Sequence, residues 1–298
     1  MEKELFYNEI KNRVEDFYGD RAKVTTHVVT KNNGLLKRAL CVKINESNCS
    51  PTIYMDDFYH DYKDGKKSVN DVSEEVIGTF EKYIITDNVD MSFFENYDSI
   101  SHEICFKIIN RDKNRDRLEN MPHRVIEDLA VTYFVSLNTR GLDGSIQIKD
   151  DYLKVWGVCE EDLFEAAIEN TPRLFPSDII SMKEFLLRKS EDTFLANLLP
   201  ENGMFVVSNV RYTNGASVML YPGILKKMGE VFGSNYYIIP SSVHELIFVK
   251  ELSVDKDAGE LLKMVKCVNS TCVKSEDILA DSLYYYDRTI ENSVKKVE

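Results

Sequence analysis

Asn33-Gly34 stands between two strand-like runs, 22-AKVTTHVVT-30, which is rich in β-branched residues, and 35-LLKRALCVKI-44. Asn and Gly both enter the positive-φ region that a tight reversal needs, and β-branched side chains suit a pleated strand. The segment is therefore predicted to be an antiparallel hairpin turning at 31-KNNG-34. A hairpin alone leaves its apolar face wet, so it needs helices against it. Residues 2–18 supply one, with Leu5, Ile10, Val14 and Phe17 near a helical repeat and Gly19 as the stop. A second is predicted from about Val69 to Ile85, capped by Ser68 or Asn70.

Farther along, 103-EICFKII-109, 128-DLAVTYFVSL-137 and 145-SIQI-148 read as strands, the last two joined by a turn at 140-RGLDG-144. Two helices follow, 150–157 ending at Gly157 and 160–170 closed by Pro172. The proline-bearing stretch 171–203 holds a short helix at 181–188. From Met204 the order is strand 204–209, helix 216–231 with Pro222 at an end or kink, strands 236–240 and 243–249, helix 257–268, and a strand or turn at 283–288. This order predicts an α+β fold of antiparallel or mixed sheets with helices packed on one face. Two sequential α+β units are expected, 1–175 and 204–298, with 176–203 connecting them.

Composition narrows the class. The 298 residues are 43% hydrophobic, enough for a packed core, and no apolar run is long enough for a membrane span. The acidic opening MEKELFYNEIKNRVEDF lacks the cationic start and apolar stretch of a signal peptide. The six cysteines are scattered without a C-x-x-C, and Cys267 and Cys272 have no histidine nearby in sequence. A cytoplasmic, reducing setting is expected. The net charge is −13, and residues 51–100 concentrate it with twelve acids against four bases. Such a surface argues against nucleic acid. A protein partner or self-association stays open, and sixteen tyrosines suit either that or sheet edges.

Phosphate loops, dinucleotide fingerprints, H-E-x-x-H and G-x-S-x-G are all missing, and no cofactor is implied. Three clusters are candidates for chemistry. In 240-PSSVHEL-246, Ser242, His244 and Glu245 are the parts of a nucleophilic triad, but strand alternation puts Glu245 on the face opposite Ser242 and His244. A capped turn and half-exposed strand would use the same residues. In 56-DDFYHDY-62, Asp57 and Asp61, or Asp56 and His60, share one side of a helix and could hold a divalent metal, although a solvated acidic helix looks alike. Arg111, Arg115, Arg117 and His123, with His102 and Arg124, could grip an anion, yet Asp112, Asp116 and Glu119 interrupt the basic run. Pro122-His123 reads equally as a turn whose imidazole bonds a backbone carbonyl.

The strings 31-KNNG-34, 51-PTIYM-55, 107-KIINRDKN-114 with Pro122-His123, 170-NTPRLFP-176, 214-NGASVMLYPGILK-226, 238-IIPSSVHELIF-248 and 284-YYYDR-288 together resemble an uncharacterised bacterial family, a domain of unknown function found mainly in anaerobic Gram-positive bacteria. The resemblance runs nearly end to end. It implies a bacterial cytoplasmic protein of one family-length unit and carries no activity, cofactor or catalytic residue with it. The expected function is that of a non-enzymatic cytosolic binding or regulatory protein. The alternative is a hydrolase or metal-dependent enzyme using Ser242 and His244 or Asp57 and Asp61.

Overall fold

A computed structural model describes residues 1–45, 47–84, 88, 90–142, 144–189, 197, 203–251, 258–290 and 294–297. Ile85, Asp143 and residue 257, named above as parts of predicted elements, lie outside these. The fold is α+β, and the three sheets found among the described residues are antiparallel throughout. Contacts group residues 1–31 with 35–92, and residues 32–34 with 93–298.

The first unit opens with helix α1 (Lys3–Tyr18), followed by strands β1 (Ala22–Thr30), β2 (Leu36–Ile44) and β3 (Thr52–Tyr54), then helices α2 (Asp56–Lys63) and α3 (Val69–Tyr83). The sheet order is β1-β2-β3. The hairpin forms as predicted, from Ala22↔Ile44 to Thr30↔Leu36 without a bulge. Its loop is longer than two residues, because Lys31 N–H bonds the Leu35 carbonyl at 2.7 Å, and Asn33 and Gly34 take the positive φ values of 59° and 70°. Phe6, Ile10 and Val14 of α1 meet Val72, Val76 and Phe80 of α3 in a core over Val24, Leu40 and Val42. Both helices show the three-to-four-residue spacing that makes one apolar stripe. Ser68 caps α3 in a reciprocal box with Asp71.

The second unit continues with α4 (Tyr97–Ile100), β4 (Ile104–Asn110), α5 (Arg115–Leu118), β5 (His123–Ile126), β6 (Leu129–Ser136), β7 (Ser145–Gln147), α6 (Asp150–Trp156) and α7 (Glu160–Leu174). Next come β8 (Ser177–Ser181), α8 (Met182–Lys189), β9 (Met204–Asn209), α9 (Ile224–Phe232), β10 (Tyr236–Ile239), β11 (Leu246–Lys250), α10 (Ala258–Thr271), β12 (Leu283–Tyr286) and β13 (Val294–Val297). β6 lies between β4 on one side and β5 and β7 on the other, and is buried along its whole length. That explains its near-continuous run of apolar and β-branched residues. The larger sheet runs β13-β12-β10-β11-β9-β8, so the stretch expected as a connection contributes β8, paired with β9 from Ser177↔Asn209 to Ser181↔Phe205.

Two local predictions need correction. Pro172 does not close α7, which continues to Leu174, because a proline this near the end forfeits one amide while Phe175 N–H still reaches the Thr171 carbonyl at 2.8 Å. The helix expected at 216–231 is two pieces, a 3₁₀ stretch at Gly215–Leu220 and then α9, with Pro222 and the left-handed Gly223 in the break.

Candidate functional site

Among the described residues β4 pairs only with β6, and two of its outward amides are closed by hydroxyls rather than by another strand. Phe106 N–H donates to Thr171 Oγ1 on α7 at 3.0 Å, and Ile108 N–H donates to Ser217 Oγ at 3.3 Å. Thr171 in turn donates to the Ala167 carbonyl at 2.7 Å, a bond open to a threonine within a helix. Protecting an edge this way blocks further pairing. It also stops the sheet where a cavity of about 160 Å³ begins.

The cavity walls are Phe106, Phe134, Phe175 and Tyr221, all buried. Phe134 and Phe175 meet edge-on at 6.1 Å between centroids, as do Phe106 and Tyr221. The Tyr221 hydroxyl donates to the Phe175 carbonyl at 2.8 Å, and burial raises its pKa, so it stays a neutral donor. Cys105 packs against Phe134 and Phe175, and burial pushes its thiol up to about 12. A thiol held protonated is a poor nucleophile. The exposed or half-exposed side chains of Asn138, Ser145, Arg211, Thr213 and Asn214 form the polar lip. Arg211 brings the positive charge, its guanidinium 5.7 Å from the Phe175 ring centroid.

The lip loop is fixed from below. Asn209 Oδ1 accepts from the Arg211 and Thr213 amides, and Asn209 Nδ2 donates to the Thr213 carbonyl at 2.8 Å. Tyr212 and Asn214 sit at φ 51° and 52°, a region that suits asparagine better than tyrosine. The phenol of Tyr212 donates to the Asp178 carboxylate, tying the unfavourable residue to β8. Asn214 N–H donates to His244 Nδ1 at 3.2 Å, which leaves Nε2 to carry the imidazole proton toward Asp277 Oδ1 at 3.3 Å. Gly215 is packed so closely that a Cβ there would fall within 3.0 Å of Ser208 Oγ, the His244 carbonyl oxygen and the Asn209 nitrogen.

The residues singled out from sequence fall in three places. His244 finds an acid, but it is Asp277; Ser242 Oγ accepts the His244 backbone amide at 3.0 Å, and Glu245 Oε1 accepts from Ser241 at 3.4 Å. The strand expected at 243–249 begins at Leu246, so this trio occupies the turn before β11. On α2, burial alone would raise the pKa of Asp56, but bonds from Lys3 at 2.8 Å, the Arg38 amide at 2.8 Å and Tyr7 at 3.0 Å outweigh it and hold the carboxyl low. Asp61 pairs with Lys67 at 3.1 Å, and His60 faces Asp64 at 3.5 Å. Among the described residues no group of three or more His, Cys, Asp or Glu is placed to hold a metal ion.

Arg111 and Arg115 both reach Asp112, at 3.3 and 2.8 Å, while Arg117 donates to Asn114 and is partly buried, which lowers its pKa. His123 Nδ1 bonds the Met121 carbonyl at 2.9 Å, the turn arrangement open from sequence. Arg124 pairs with Glu160 and Glu161. His102 is exposed beside the buried Glu103, which Arg140 holds at 2.8 Å.

The chain belongs to a family of unknown function, DUF5688, whose model matches residues 3–288. No curated protein and no solved structure matches it. Among the described residues no helix is long and apolar enough to cross a membrane.

Proposed function

We propose that this is a non-enzymatic cytosolic binding or regulatory protein whose ligand is a small, flat, largely apolar molecule bearing an anionic group. The observation that carries the reading is one cavity with four aromatic walls and a guanidinium at its lip. A cavity of about 150 Å³ lined by apolar side chains accepts a benzene-sized molecule. Aromatic walls favour a ring stacked or edge-on against them, and the planar fork of Arg211 matches a carboxylate. The polar groups nearest the walls are already committed to structure. Thr171 is satisfied in both directions, and Asn209 is spent on its own turn.

Ligand-observed NMR with benzoate, benzamide and acetate tests this. Benzoate is expected to bind best, acetate not at all, and Arg211→Gln to weaken benzoate by about tenfold while leaving benzamide unchanged. Failure of every aromatic probe to bind at millimolar concentration would refute the reading.

A hydrolase remains the second reading, favoured by the His244–Asp277 pair. Turnover in an ester and amide panel that disappears with Ser242→Ala or His244→Ala, or a manganese-dependent activity lost with Asp57→Asn and Asp61→Asn, would replace the first.

A further inference from the structure

β1 is the outer strand of the three-stranded sheet, nine residues long and joined to β2 without a bulge. Lys31 N–H bonds Leu35 at one end of the hairpin, and Asn45 N–H bonds Arg21 at the other. Both ends put odd-numbered residues in the hydrogen-bonded positions toward β2. Strict alternation then turns the backbone N–H and C=O of Ala22, Val24, Thr26, Val28 and Thr30 outward. Among the described residues nothing bonds to them there. Natural edge strands are usually short, bulged, or guarded by proline or charge. β1 has none of these devices beyond Lys23, and Val28 is 53% exposed.

We infer that this edge is an interface between two copies of the chain, pairing β1 with β1 of the second copy in antiparallel fashion about a two-fold axis at Thr26. That register matches Ala22 with Thr30, Val24 with Val28 and Thr26 with itself, so every outward residue is used in a hydrogen-bonded pair. A two-fold interface requires this kind of self-complementarity. The intervening positions agree with it. Lys23 meets Val29 and Thr25 meets His27, so the strand's one charged side chain does not face its own copy. The exposed Val28 gains Val24 of the second copy as a cross-strand apolar neighbour. The two three-stranded sheets become one of six strands.

The test uses the full chain. Light scattering over about 1 to 200 µM should show the mass rising toward twice that of the monomer, as a concentration-dependent dimer requires. Hydrogen exchange at the two extremes should show the amides of Val24, Thr26 and Val28 slowing with concentration. Thr26→Pro removes an outward N–H and no bond to β2, a place where sheets tolerate proline. It should leave the circular dichroism intact and the protein monomeric. A wild type that stays monomeric throughout overturns the inference. So does a dimer that survives Thr26→Pro with the Val24 and Val28 amides still exchanging freely.

Discussion

Gly215 is where the lip loop, β9 and the His244 turn meet, and replacing it with alanine is the sharpest perturbation of the candidate site. The new methyl would fall within 3.0 Å of three atoms, two of them backbone, so no rotamer change can relieve it. Overpacking of this kind costs about 1–3 kcal/mol. The displaced Ser208 hydroxyl would also lose its 2.7 Å bond to the His244 carbonyl. That adds roughly 0.5–1.5 kcal/mol, for a total of about 2–4 kcal/mol. Spread over a unit of this size, the loss lowers the melting temperature by about 5–15 °C. Ser208→Ala is the control, because it removes the hydrogen bond without adding the methyl and should cost only about 1 kcal/mol. Urea denaturation followed by tryptophan fluorescence measures both, since Trp156 packs in the same core. If Gly215→Ala is no worse than Ser208→Ala, the account of a tightly seated lip loop is wrong.

Three further outcomes are expected. Asp128 is mostly buried and accepts from Ser282, from Tyr284 at 2.5 Å and from Lys296 at 3.1 Å. Burial would raise its pKa, but these bonds outweigh it and hold the folded-state value below the unfolded one. Its stabilisation is therefore present above the unfolded aspartate pKa near 4 and disappears as pH falls through the lower folded value. Asp128→Ala should cost about 3 kcal/mol at neutral pH and flatten the acid limb of stability against pH. Thr171→Val keeps the shape but leaves the buried Phe106 amide without an acceptor, which should cost about 1–3 kcal/mol in denaturant unfolding. Cys105 should resist alkylation at pH 8 in the native protein and react on denaturation, whereas the exposed Cys159, Cys267 and Cys272 should react at once, as mass spectrometry of the labelled peptides would show.

Local chemistry made much of the fold readable. The β1–β2 hairpin, the Ser68 cap, the helix stop at Gly157 and the all-strand character of 129–136 depend on neighbours in sequence. β8 was harder to read, because three of the five residues of Ser177–Ser181 are polar and it lies just after Pro176, which looks like a linker until β9 pairs with it. Pro172 misled for a related reason, since a helix break is judged from the proline while the last turn is held by Thr171. The cavity was not legible at all. Phe106, Phe134, Phe175 and Tyr221 are far apart in the chain, and each alone looks like an ordinary core aromatic. The His244 cluster was visible because it is contiguous, but its acid, Asp277, lies 33 residues away and could not be chosen from spacing.

The central claim is that the aromatic cavity is a ligand site. It is tested most directly by diffraction from crystals soaked in para-bromobenzoate, with data collected at the bromine edge. The account predicts an anomalous bromine peak among Phe106, Phe134, Phe175 and Tyr221, with the carboxylate toward Arg211. An empty cavity at saturating ligand, or a bromine peak elsewhere alone, would contradict it.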